Sequence, residues 1–436
     1  MRRNTDLPLS YRFCLIVLCA AILTLHGCAA MNSIREKSGP YPIHPESILE
    51  RKRFSIVQDS DIIGRLAVVR LKKGDTLPDI ARHFSLGINE LSAANPGVDV
   101  WVPKAGKRIT LPLRFILPDA PRKGIVINLA AMRLFQYREE GDTPVVLTYP
   151  VGVGTTERPT PTGQMSVERK VTRPTWYVPA SIAEDYRKKG DPLPAEVPPG
   201  PLNPLGEYAL YLSKSSYLIH GTNKPYSIGL MATNGCIRLY PEDIREVYEN
   251  TPVGTPVRIV NQPYLVGERN EIVYLEVHTP PDGSDAVELE RLYAKLRGIE
   301  KKSGRLLDWN RIKQALAEAR GIPVPIFEYR QGQWSTPTIE IRHPDKLYGS
   351  PEPPEMKPDA WYILAASMPE KIDAMRMAAL INHQGPPIPA RVATTLESHR
   401  VIAGPFNNAG ETREALKRLK MDLEINGRVI EPVKPR

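Results

Sequence analysis

One thiol and one imidazole carry most of the chemistry this chain has to offer. Its four cysteines are Cys14, Cys19, Cys28 and Cys236. The first three sit in or at the end of an apolar N-terminal run, so Cys236 is alone in the body of the chain. A free thiol is only a few per cent thiolate at neutral pH, and a nucleophilic one needs a base beside it. His220 lies sixteen residues upstream, and residues 217–239 read YLIHGTNKPYSIGLMATNGCIRL. Tyr217 to Ile219 has the pattern of an apolar strand, which puts His220 at a strand end. Cys236 follows the flexible pair Asn234-Gly235, which puts it at a tight turn before Ile237 to Leu239. Two strand ends can meet at one edge of a sheet. Gly235 permits the sharp turn and leaves room for a substrate carbonyl. Backbone N–H groups around Thr233, Asn234, Gly235 and Cys236 suit an oxyanion hole, and Arg238 suits a substrate carboxylate. The residues alone leave other roles open: His220 as a hydrogen-bonded strand end, Cys236 as an inert buried thiol, Arg238 as a solvated charge. Tyr240, Pro241, Glu242 and Asp243 read as the start of a helix, with both acids at its positive end.

These residues need a scaffold. Short β patterns separated by turns fill 123–261, among them Gly124 to Leu129, Val145 to Tyr149, Tyr208 to Leu212 and Val257 to Val260. The spacing predicts a mainly β domain, a sandwich or barrel. Upstream, residues 65–113 read as a compact α+β module ordered strand, helix, helix, strand. Thr76 caps a helix whose apolar positions are Leu77, Ile80, Ala81 and Phe84, and GKRITL closes the module. An accessory region, 262–345, holds a strand at Ile272 to Val277 and a helix within Leu306 to Arg320, with no function assigned. Residues 346–358 read as a proline-rich linker. Residues 359–432 form a further α+β module, with strands at Trp361 to Ala365 and Arg400 to Ala403 and helices at Lys371 to Asn382 and Glu411 to Lys420.

A chain of 436 residues is too long for one core, and 44 prolines favour strands, turns and stiff linkers. The net charge of +9 suits a polyanion. No basic stripe interleaved with aromatics, zinc-finger spacing or helix-turn-helix pattern is present, which argues against nucleic acid as a partner. The remaining histidines lack ligand spacing and there is no nucleotide-binding loop, so neither a metal nor a cofactor is expected.

The N-terminus sets the compartment. Arg2, Arg3 and Arg12 precede an apolar run from Phe13 to Leu25, which reads as an export signal over 1–27 and is short for a bilayer span, with an uncleaved membrane anchor as the other reading. Leu25, Gly27 and Cys28 resemble a lipobox, with Cys28 as the lipidated residue; His26 departs from it and leaves ordinary signal cleavage open. Ala29 in place of Asp implies the outer membrane in that family. A polar tether is expected over 28–64. An exported protein with one unpaired thiol then makes Cys236 a candidate nucleophile.

Three resemblances follow from these motifs. GDTLPDIARHF, Asn95-Pro96 and GKRITLP resemble the LysM module, which implies binding to N-acetylglucosamine-containing glycan. HRVIAGPFNNAGETREALKRL resembles the SPOR module, which implies binding to glycan strands stripped of peptides. His220-Gly221-Thr222 and Thr233-Asn234-Gly235-Cys236, with RPTPTG at 158–163, TWYVPASI at 175–182 and VPPGPLNPLG at 197–206, resemble the L,D-transpeptidases. That resemblance implies Cys236 as nucleophile, His220 as base and the Gly221 carbonyl as the group orienting the imidazole. It implies attack on the diaminopimelate carbonyl of a peptidoglycan stem peptide, release of D-alanine, and transfer to an amine of another stem or of an envelope protein. Water as acceptor would make it an L,D-carboxypeptidase. The family's second histidine, directly before Gly-Cys, is replaced by Asn234, which cannot take a proton at neutral pH. A catalytically weak tether between outer membrane and wall is therefore the alternative expectation.

Overall fold

The computed structural model describes residues 52–57, 60–188, 190–280, 283, 286–327 and 338–432. The expected export signal, Cys28 and most of the expected tether lie outside the described residues. The end of that tether differs from expectation. Arg53–Ser55 pairs with Val145–Leu147 on the edge of the main sheet, and Ile62–Gly64 pairs with Arg114–Ile116. Apolar Phe54, Ile62 and Ile63, scattered among polar residues, give these short strands something to bury against.

The LysM segment packs helices α1 (Leu77–His83) and α2 (Ile88–Ala94) on the antiparallel pair Ala67–Arg70 and Arg108–Leu111. Thr76 caps α1, its hydroxyl accepting from the Asp79 N–H at 3.2 Å. A third strand, Ile339–Ile341, joins this sheet in parallel from far along the chain.

The catalytic segment is one mixed sheet of nine strands among the described residues. Their order is Arg53–Ser55, Thr143–Pro150, Arg133–Glu140, Gly124–Asn128, Pro256–Val260, Gly163–Thr172, Tyr208–Leu212, Leu218–His220 and Ile237–Arg238. The Gly163–Thr172 strand serves two partners. Its start pairs with Pro256–Ile259, its end pairs with Tyr208–Leu212, and the register shifts between Val167 and Arg169. A shift of this kind bends a strand. The halves on either side of it share one core: Ile125, Leu134, Val145 and Tyr149 from one, Leu210, Ile219 and Ile237 from the other. This agrees with the mainly β, sandwich-like expectation. Helix α3 (Ala180–Lys188) lies in the loop region before Tyr208. Helix α4 (Pro241–Glu249) starts where the Tyr240–Asp243 sequence places a start, and buries Ile244 and Val247 in the core.

The accessory region has a core of its own. Strands Tyr264–Arg269, Ile272–Val277 and Val324–Pro325 pack against α5 (Ala286–Ser303) and α6 (Trp309–Glu318), around Leu275, Leu296 and Ile312. The proline-rich stretch has no regular element from Pro351 to Lys357, but its beginning is held: Leu347 is buried and the Tyr348 N–H donates to His83 Nδ1 at 2.9 Å. The SPOR segment is a four-stranded sheet centred on Trp361–Met368 and His399–Phe406. Helices α7 (Lys371–Asn382) and α8 (Ala409–Leu423) cover it.

Candidate active site

Strand pairing brings the expected residues together. Leu218–His220 runs parallel to Ile237–Arg238, with Ile219 opposite Ile237 and His220 opposite Arg238. Both isoleucines point into the core, at 0% and 1% exposure. Side chains alternate along a strand, so His220, Arg238 and Cys236 project from the other face. Cys236 stands two residues before Arg238.

The turn before Cys236 is held from several sides. Gly235 has φ +100°, and a Cβ there would lie 2.8 Å from the Tyr217 ring, so glycine is required twice over. The Thr233 hydroxyl accepts from the Gly235 N–H at 3.2 Å and donates to the Cys236 carbonyl at 2.7 Å. Met231–Thr233 pairs in parallel with Val153–Gly154, tying the turn to the sheet's edge. The Gly235 N–H is therefore engaged within the turn.

His220 is buried. Its Nδ1 lies 2.6 Å from the Gly221 carbonyl oxygen. A carbonyl only accepts, so Nδ1 carries the hydrogen and Nε2 keeps its lone pair. Burial, and then the Arg238 charge, lower the imidazole pKa to about 3. The ring is neutral at physiological pH, against the opposing pull of the Gly221 and Leu205 backbone carbonyls, so one of its nitrogens is unprotonated. Cys236 is half-buried, and its thiol donates to the Ser216 carbonyl at 3.7 Å. Burial pushes its pKa up, against a backbone hydrogen bond from Leu218 and the Arg238 charge. At rest both the Cys236 thiol and the His220 imidazole are neutral.

Arg238 is no solvated surface charge. Burial lowers its pKa, its Nη1 donates to Ser227 Oγ at 2.9 Å, and its buried Nε has no partner. Asn234 is exposed, and its Oδ1 accepts from Arg158 Nη1 at 2.5 Å. Arg158 is itself anchored by Asp185 of α3 at 2.6 Å. This clamp turns the Asn234 amide nitrogen, a donor, away from Arg158. The Arg158–Asp185 pair was missed in the sequence because its partners are 27 and 76 residues away; the only signal was the arginine of RPTPTG. A cleft of about 700 Å3 opens beside the turn, lined by Trp176, Tyr186, Leu230, Asn234 and Arg238, with Arg418 of α8 on its far wall.

The model of the L,D-transpeptidase catalytic domain matches residues 122–259, that of the LysM domain 69–112 and that of the SPOR domain 357–430. The probable L,D-transpeptidase ErfK/SrfK of Escherichia coli K12 is 38% identical over 296 residues, 66% of this chain and 90% of the relative. The chain belongs to the L,D-transpeptidase family. The probable L,D-transpeptidase YbiS of the same organism is 42% identical over 231 residues, 52% of this chain and 74% of the relative. A solved L,D-transpeptidase from Mycobacterium tuberculosis H37Rv aligns at 17% identity and a TM-score of 0.24, over 37% of this chain and 71% of that one. LysM and SPOR domains bind peptidoglycan, and L,D-transpeptidases act on it, which suggests a cell-envelope location. No described helix is long and apolar enough to cross a membrane. Among the described residues, no cluster of three or more His, Cys, Asp or Glu could hold a metal.

Proposed function

We propose that this L,D-transpeptidase is catalytically active and works through Cys236 in the periplasm, held to the outer membrane by a lipid on Cys28. The observation that carries the reading is the neutral His220, fixed by the Gly221 carbonyl on the same sheet face as Cys236. His220 Nε2 takes the thiol proton as sulfur attacks the diaminopimelate carbonyl of a stem peptide. The Cys236 N–H supports the developing oxyanion, since Thr233 already holds that of Gly235. The Asn234 amide donates from the cleft side. The imidazolium returns the proton to the departing D-alanine nitrogen, leaving a thioester on Cys236. An incoming amine, from a second stem or an envelope protein, gives up its proton to Nε2, attacks the thioester and frees the thiol. Arg238 Nε, buried and unpartnered, meets a substrate carboxylate.

Asn234 supports the active reading because its oxygen is already committed to Arg158. That leaves a fixed donor where the family has a histidine, with no need for a charge. The test is product analysis of stem tetrapeptides incubated with the chain from residue 29. Released D-alanine with cross-linked or amine-capped tripeptide supports transpeptidation. Released D-alanine with tripeptide alone, in the presence of amine, points to carboxypeptidase action. No release at all favours the wall-binding tether.

A further inference from the structure

Helix α8 of the SPOR segment turns one face to its own sheet and another to the catalytic segment. Thr412, Ala415 and Leu419 are buried, and the last two sit in the SPOR core. Glu414, Lys417, Arg418, Met421 and Asp422 recur at helical spacing on a different face, and all five line the cleft beside the Thr233–Cys236 turn.

Four of these five are charged, and they divide by use. Lys417 and Asp422 are taken up by docking: Lys417 pairs with Asp191 at 2.5 Å and Asp422 with Lys224 at 3.0 Å. Arg418 and Glu414 stand one helical turn apart, and neither closes an ion pair with a described residue. Arg418 donates through Nη2 to the Pro386 carbonyl, which leaves its other N–H groups free for a ligand. It is half-buried, and that burial lowers its pKa against the upward pull of Asp422 and Glu414. A cation drawn partly out of water gains most from an anion brought to it. Leu230 and Met421 give the same cleft apolar surface. The arrangement suits a ligand with a carboxylate and an ammonium close together at the end of an apolar stem.

We propose that α8 recognises the amino-acid head of the diaminopimelate side chain, with Arg418 on its carboxylate and Glu414 on its ammonium. The inference rests on the reading that Cys236 acts on stem peptides. Diaminopimelate has two amino-acid centres joined by methylenes. One is built into the stem, and its carbonyl is the one attacked by Cys236. The other ends the side chain, carries a carboxylate and an ammonium on one carbon, and is zwitterionic at neutral pH. A guanidinium suits that carboxylate, and Leu230 and Met421 suit the methylenes. A lysine in the same place keeps the ammonium and lacks the carboxylate, so Arg418 sets the selectivity between the two stems. The SPOR segment thereby has a task on the peptide, separate from any hold on glycan.

The binding test uses the chain from residue 29 carrying Cys236→Ala, titrated by calorimetry with two stem tetrapeptides. They differ only in diaminopimelate or lysine at the third position, and the diaminopimelate stem should bind the more tightly. Arg418→Met keeps the length and removes the charge. The Kd for the diaminopimelate stem should rise about tenfold, the scale of a lost hydrogen bond to a charged group, with the lysine stem unchanged. Arg418→Lys should restore part of the preference. Glu414→Gln, at an exposed position, should weaken both stems about threefold, and it decides the matter if Arg418→Met does not fold. No preference in the parent, equal losses for both stems in Arg418→Met, or an unchanged Kd in the folded variants overturns the inference. With Cys236 restored, the same preference should appear in the KM for D-alanine release, with kcat little changed. Asp422→Lys, which breaks a docking pair, should raise that KM. A faster reaction instead would mean that α8 obstructs the cleft, and would overturn the inference. If D-alanine is never released while binding still depends on Arg418, the catalytic reading fails and recognition by α8 stands.

Discussion

At the residue scale, the central fact is the protonation state of His220. Burial holds its pKa at about 3, so the imidazole is uncharged throughout the neutral range. Acylation should therefore show no acid limb near pH 6.5, where an ordinary imidazole would give one. A kcat/KM profile between pH 4 and 8 checks this. Stability carries the same signature. Between pH 6.5 and about 3 the unfolded chain binds a proton that the folded chain refuses, so His220 costs stability as pH falls through that window. His220→Asn removes the cost. The difference in urea midpoint between variant and parent should shift in the variant's favour as pH drops from 7 to 4. Arg158 is a positioning residue: it touches Asn234, not substrate. Arg158→Ala should slow Cys236 acylation by about tenfold, since one fixed donor is lost. Arg158→Lys, which can still reach one oxygen, should recover part of it, and Asp185→Asn should copy the loss in milder form. His220 and Cys236 stood out in the sequence because a lone thiol following a histidine at a strand end has few roles. Arg158 did not, because an arginine says nothing until its partners are known.

At the scale of elements, the Thr233–Cys236 turn is the most exacting piece of backbone. Gly235→Ala places a methyl against the Tyr217 ring at a φ that L-residues rarely adopt. A loss of about 1–3 kcal/mol in stability is expected, with acylation reduced further because Cys236 is displaced. Chemical denaturation and the acylation rate of the same sample separate the two effects. The strands flanking this turn were readable from apolar runs, and α7 over Lys371–Asn382 falls where its 3.6-residue pattern places it. Other elements escaped the sequence for physical reasons. Arg133–Glu140 and Gly163–Thr172 are mostly polar, and they become strands because both neighbours offer free ladders. Arg133 is a charged residue at 1% exposure, a placement that only tertiary pairing explains. The short strand Ile339–Ile341 finds its partner some 270 positions earlier, beyond any local signal.

At the scale of the molecule, the modules are not beads on a string. Arg133 of the catalytic sheet forks onto Glu90 of α2 with two bonds of 2.8 Å, and its guanidinium stacks 4.1 Å from the Phe115 ring. Both charges are buried. Removing one partner of such a pair typically costs about 3–5 kcal/mol, because the other is stranded. Glu90→Ala should lower the urea midpoint by that equivalent, and Glu90→Leu with Arg133→Met should recover most of it. The SPOR segment is fastened to the catalytic loops by Lys224 to Asp422 at 3.0 Å and Lys417 to Asp191 at 2.5 Å, which line the cleft beside the Thr233–Cys236 turn. Sequence resemblance identified each module separately. Their arrangement around one cleft rests on single ion pairs between distant positions, which no motif records.

The most direct test of the central claim is intact-mass analysis of the chain from residue 29 after incubation with a carbapenem, a carbonyl electrophile suited to a reactive thiol. Cys236 is then the only thiol present. One adduct is expected, absent in Cys236→Ala and formed at least a hundredfold more slowly in His220→Ala, the lower range for loss of a general base. No adduct on the folded parent, or equal rates with and without His220, would contradict a catalytic thiol–imidazole pair.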